Sequence, residues 1–127
     1  NNTMGHQQSV LITSKQTRDR GRGVFARQPI AAETVIERVP VLVVPVDEIA
    51  ASRLANYAFT WGRGTVAVAL GYGSLYNHSY TPNARSQDVG RGTKEFVAIR
   101  DIAAGEEITV NYNGEPDNRS AVGFDVR

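Results

Sequence analysis

The run Gly105-Glu106-Glu107-Ile108-Thr109-Val110-Asn111-Tyr112 carries the clearest architectural signal in the chain. A glycine opens it, Glu107 to Asn111 reads as a short strand, and an aromatic closes it. A Tyr directly after a strand is commonly a half-buried amphipathic residue. Glu106 and Glu107 invite a reading as paired carboxylates. Adjacent strand residues point to opposite faces, however, so they are poorly set for acid–base work.

Working back from this strand, the same style repeats. Glu95 to Arg100 reads as a strand, joined to the first by the tight connection Asp101-Ile102-Ala103-Ala104-Gly105. Gly71 to Asn83 is dense in Gly, Asn, Ser and Pro and reads mostly as loop, while Thr65 to Leu70 is a strand of small and β-branched residues. Further upstream, Ser9 to Thr13, Gly23 to Arg27 and Thr34 to Val39 read as strands, with Lys15 to Gly23 as a loop. Pro40 and Pro45 demote Val41 to Val46 to an edge or an extended run. One helix is expected, Asp47 to Tyr57, with Asp47 as N-cap and Ile49, Leu54 and Tyr57 as its apolar positions. The fold class is therefore β-rich, mainly β with one short helix. Asn1 to Gln8 is polar and reads as a disordered or expression-derived end, leaving 9–127 as a single domain.

Composition narrows the function. The chain has 127 residues, 14 Lys+Arg against 13 Asp+Glu, and no Cys. A disulfide framework, a Cys-ligated zinc and a thiol nucleophile are all excluded. The charge balance argues against nucleic-acid binding by bulk basicity and against a polybasic membrane anchor. No apolar run approaches the ~18 residues of a membrane span. Two histidines, His6 and His78, are too few for a His-rich metal site, and no metal is expected.

Two further clusters stand out. Gly21-Arg22-Gly23 lets backbone pass close to a ligand or take positive φ; alone, such a triplet is more often just a turn. It is no dinucleotide fingerprint, because the following Val24-Phe25-Ala26 is strand-like. Asn77-His78-Ser79, followed by Pro82-Asn83, puts Asn77 in a crowded polar site. A lone His in such a protein is usually structural, and no Ser–His–Asp pattern accompanies it.

In this order, Gly21-Arg22-Gly23-Val24-Phe25-Ala26, Asn77-His78-Ser79 with Pro82-Asn83, and Gly105 to Tyr112 resemble the SET domain, a family mostly of S-adenosylmethionine-dependent protein lysine methyltransferases. The stretch Ala67 to Ser79 is similar to the minimal stand-alone SET proteins of chlorella viruses and some bacteria. The resemblance runs over about residues 9 to 113. It implies a β-clip with a C-terminal pseudoknot, in which the segment near Tyr112 passes under the loop containing Asn77. It implies S-adenosylmethionine as cofactor, leaving as S-adenosylhomocysteine.

The resemblance also implies roles. Arg20, Gly21, Arg22 and Gly23 would hold the methionine part of the cofactor. Asn77 and His78 would touch its adenine and amino-acid ends, and Phe124 would cover it. Tyr112 would stand at the methyl-transfer point and also touch the cofactor. Tyr57 would be a second catalytic aromatic, lining the lysine channel with Val110 and Tyr112. Family members often carry a bulky Tyr at the Val110 position that limits methylation, so Val110 implies di- or trimethylation.

The chain departs from the family pattern at Asn111, where Asp is frequent, and at Ser74, where Arg is frequent. It also lacks the Cys-rich zinc tail that completes the channel in many members, so Tyr112 to Arg127 or a second subunit must serve. The expected substrate is a histone or another basic, lysine-rich protein. The expected assembly is a two-fold homodimer using surface from Trp61 to Val68. The expected location is intracellular, in the cytoplasm or on chromatin, without direct nucleic-acid or membrane binding. The rival readings are a non-catalytic SET-like module binding cofactor or peptide, and an unrelated β-clip binding sugars or nucleotides.

Overall fold

β-branched residues and glycine turns produce nine strands in the computed structural model, which describes residues 9–19 and 21–112. The first sheet contains β1 (Ile12–Gln16), β2 (Arg22–Ala26), β9 (Glu107–Val110) and β6 (Asn77–His78), in the order β1-β2-β9-β6. The second contains β4 (Phe59–Thr60), β5 (Thr65–Ala69), β3 (Val35–Pro45), β8 (Thr93–Ala98) and β7 (Ala84–Val89), in the order β4-β5-β3-β8-β7. All pairings are antiparallel except β6 with β9, which run parallel with Asn77 opposite Thr109 and His78 opposite Val110.

That parallel pair brings the end of the described chain beside the 76–83 loop. Asn83 fastens the two: its amide donates to the Glu107 carbonyl at 2.8 Å, and its Oδ1 accepts from the Thr109 N–H at 2.9 Å. The Ser79 N–H adds a bond to the Val110 carbonyl at 2.9 Å. Asn83 is buried, and every group it presents here is satisfied, as burial of an amide requires.

The sheets enclose one core, including Ile12, Val24, Ile36, Phe96, Ile102, Ile108 and Val110. Tyr76 stacks on Phe96 at its centre, ring centroids 4.2 Å apart. Burying a side chain such as Phe96 contributes about 1.5–3 kcal/mol.

Several expectations are corrected. The helix over Asp47 to Tyr57 is replaced by two short 3-10 turns, Val46–Glu48 and Arg53–Tyr57. Ser52, not Asp47, provides a cap, its hydroxyl accepting from the Leu54 N–H. The physical reason is the sparse apolar face: Leu54 and Tyr57 remain half-exposed, so nothing packs hard enough to extend a helix. The strands expected on either side of Pro40 form one continuous β3. Its first half pairs with β8 as far as Pro40, and its second half pairs with β5 from Val41 to Pro45. Pro40 stands at the changeover, where its missing N–H interrupts neither ladder. β1 starts later than expected and takes in Lys15 and Gln16, while the polar strand β7 had no hydrophobic alternation to announce it.

Candidate active site

Tyr112 follows β9, and His78 lies on the neighbouring β6, so the parallel pairing sets them side by side. The Tyr112 N–H donates to His78 Nδ1 at 2.9 Å. That bond assigns the neutral tautomer with its proton on Nε2. Burial pushes the His78 pKa below its ordinary 6.5. The ring meets Tyr80 and Tyr112 edge-on, at 4.5 and 5.2 Å between centroids. His78 thus acts as a support beneath Tyr112.

The Tyr112 side chain reaches back to the same loop. Its hydroxyl donates to the Tyr76 carbonyl at 2.6 Å. Both residues line an open cavity of about 350 Å³, with Tyr57, Phe59, Asp88 and Lys94 on its wall. Tyr57 ends the second 3-10 turn, is half-exposed, and lines the same cavity as Tyr112. Val110 does not. It is 2% exposed, faces the core with Ile108, and lies away from the cavity lining. Strand alternation explains this, since Val110 and Ile108 share the buried face of β9.

The Gly21 to Gly23 stretch leads into and opens β2, which pairs with β9. Gly21 has φ of +70°, and a side chain there would meet nothing within 4 Å. Gly23 is the opposite: a Cβ would come within 2.5 Å of Glu107 Oε2 and 3.0 Å of Asn77 Nδ2. A side chain there would displace the tips of both. The Asn77 amide donates to Glu107 Oε2 at 2.6 Å and, more weakly, to the Arg22 carbonyl at 3.4 Å. The space at Gly21 is open, while the Asn77 amide and the Glu107 carboxylate, bonded to each other, crowd Gly23. Arg20 and Phe124 lie outside the described residues.

Glu106 and Glu107 do not act as a pair. Glu106 accepts from the Ala103 N–H at 3.0 Å, an Arg100 ion pair at 3.0 Å and Asn83, whereas Glu107 faces Asn77. The Ala103 bond, and then Arg100 and Asn83, hold the Glu106 carboxyl below its ordinary range.

The SET domain family matches residues 21–113. The chain belongs to that family. A histone-lysine N-methyltransferase of Schizosaccharomyces pombe, specific for H3 lysine 37, is 35% identical over an alignment of 103 residues that covers 77% of this chain and 70% of the relative. The crystal structure of a candidate histone methyltransferase from Plasmodium falciparum superposes with a TM-score of 0.70 at 29% identity, covering 84% of this chain and 94% of the other. This SET-domain chain is accordingly a β-rich protein-lysine N-methyltransferase.

Sequence reasoning missed Glu37, Tyr76, Phe59, Asp88 and Lys94. Tyr76 directly precedes Asn77, and its adjacency to that motif was the available signal. Lys94 is buried, paired with Asp88 at 2.8 Å and seated over the Phe59 ring at 4.2 Å. Asp88 and Lys94 face each other across the β7–β8 ladder, a pairing visible only once β7 is known. Among the described residues no cluster suited to a metal ion occurs, and no helix is long and apolar enough to cross a membrane.

Proposed function

We propose that the chain methylates lysine side chains of a histone, with S-adenosylmethionine as methyl donor and Tyr112 at the transfer point. The observation that carries this is the Tyr112 hydroxyl held on the Tyr76 carbonyl, both residues lining one open cavity. The H3 specificity of the Schizosaccharomyces pombe relative supports a histone substrate, and with it a location on chromatin.

The cofactor would be held by the Gly21 to Gly23 backbone, Arg22, Asn77 and Glu107, with His78 supporting from below; Arg20 and Phe124 complete the proposal. It supplies a methyl group made electrophilic by a sulfonium. The protein's own residues do the rest. A lysine amine, which ordinarily titrates at ~10.4, is protonated in water, and entry into a partly enclosed cavity disfavours its charge. A phenol has a single proton, and Tyr112 commits it to Tyr76. Tyr112 can then meet the amine only as an acceptor, so an amine N–H is held while the nitrogen lone pair stays available for attack. Tyr57 would act as a second wall of the channel. Orientation of this kind is where proximity contributes its largest share.

A capacity for more than one methyl group remains part of the proposal, now resting on the open cavity rather than on Val110. A two-fold homodimer is also proposed, supported by the exposed Leu42, Val43, Val46 and Leu54. The function is tested by incubating the protein with labelled S-adenosylmethionine and core histones, then mapping modified lysines by mass spectrometry. Histone lysine methylation is expected. Cofactor binding without transfer to any protein would instead favour a non-catalytic module.

A further inference from the structure

Glu37 belongs to β3, yet it is turned inward. A bulge between Val35 and Glu37 breaks the alternation, so Ile36 and Glu37 are both buried. The Glu37 carboxylate accepts from the Tyr76 hydroxyl at 2.8 Å and from the Tyr72 N–H at 3.0 Å. It therefore grips both the middle and the end of the loop that leads into Asn77. Gly71 makes room for it: at φ +60°, a Cβ there would come within 2.8 Å of Glu37 Oε2. Phe96 closes the clamp by stacking on the Tyr76 ring.

A buried acid is costly unless it is hydrogen-bonded, and both of these bonds to Glu37 come from this loop. Burial raises the Glu37 pKa, while Tyr72 and Tyr76 oppose the rise. The main chain of Tyr76 supplies the carbonyl that accepts the hydrogen bond from the Tyr112 hydroxyl, so whatever fixes the Tyr76 ring also restrains that acceptor. We propose that Glu37 and the Tyr76 hydroxyl are positioning residues for methyl transfer: they hold the Tyr76 carbonyl where it keeps Tyr112 a hydrogen-bond acceptor toward the substrate amine. This rests on Tyr112 standing at the transfer point.

The test compares Tyr76→Phe, Glu37→Gln and Tyr112→Phe, singly and with each of the first two combined with the third, in methyl transfer to a histone peptide. Tyr76→Phe is expected to lower kcat by about tenfold or more, with KM and cofactor affinity unchanged. Glu37→Gln, which keeps one acceptor oxygen, is expected to lose less. In the Tyr112→Phe background neither change should lower kcat further, because the hydroxyl being held is gone. A purely structural clamp would give the same fractional loss in both backgrounds, and that result overturns the proposal. So does unaltered kcat in Tyr76→Phe. Should Tyr76→Phe fail to fold, the same comparison is read from Glu37→Gln. If Tyr112→Phe itself turns over like the wild type, the assignment of Tyr112 fails first and the proposal falls with it; if Tyr112→Phe is crippled and the others are not coupled to it, only the positioning role is lost.

Discussion

Tyr112 hangs from the 76–83 loop by both ends: its N–H binds the His78 ring at 2.9 Å and its hydroxyl binds the Tyr76 carbonyl at 2.6 Å. Two bonds from residues only two apart fix backbone and ring together. The arrangement depends on the parallel pairing of β6 and β9, which brings chain segments about thirty residues apart into contact. Function here is a consequence of topology more than of any one side chain.

Asn77→Ala should weaken binding of S-adenosylhomocysteine and also lower stability. It removes the 2.6 Å donor to the partly buried Glu107 carboxylate, and loss of a partner there costs about 1 kcal/mol, the low end for an unsatisfied polar group. Titration calorimetry reads the first effect and denaturant unfolding the second. Unchanged cofactor affinity would count against the contact.

Gly23→Ala should be more damaging than Gly21→Ala in the cofactor assay. At position 23 the new methyl meets Glu107 and Asn77, whereas at 21 the space is open and only the positive φ resists. The Glu107 and Asn77 side-chain tips must shift to admit the methyl, which disturbs their mutual hydrogen bond. Equal affinities for the two variants would mean that the close approach of β2 is irrelevant to binding.

His78 gives a pH signature. Its folded pKa lies below 6.5 because burial disfavours the charged ring, and a proton on Nδ1 would also oppose the Tyr112 N–H. Its contribution to stability is therefore complete above pH 6.5 and is lost as the pH falls through the lowered folded value. Proton NMR follows this directly, with the His78 signal assigned by its disappearance in His78→Gln. A His78 midpoint at or above 6.5 would contradict the buried neutral ring.

Val110→Tyr should destabilise the protein rather than tune its product. Val110 is packed in the core, and the larger ring has no cavity to enter. A well-folded Val110→Tyr variant with a shifted methylation pattern would show that this side of β9 does reach the channel.

The sequence made the β-rich class and most strands legible, because glycine turns and β-branched runs are local signals; Gly23, Asn77 and Tyr112 are grouped only through the resemblance to a family. It did not reveal β7, whose Ala84-Arg85-Ser86-Gln87-Asp88-Val89 lacks alternation and is held by cross-strand polar pairs such as Gln87 to Glu95 and Asp88 to Lys94. Nor could it reveal Glu37. On an ideal strand Ile36 and Glu37 would face opposite ways, and only the bulge turns both inward. The helix misreading has the same root: Asp47 to Tyr57 has helix-compatible spacing, but no core surface is opposite to complete it.

The most direct measurement is the initial rate of methyl transfer to histone lysines by wild-type protein and Tyr112→Phe, at saturating S-adenosylmethionine, read by intact-mass spectrometry. The wild type should add methyl groups to lysine, and the variant, still folded and still binding cofactor, should be slower by about a hundredfold. Wild-type turnover by Tyr112→Phe, or no lysine methylation by the unaltered protein, would contradict the account.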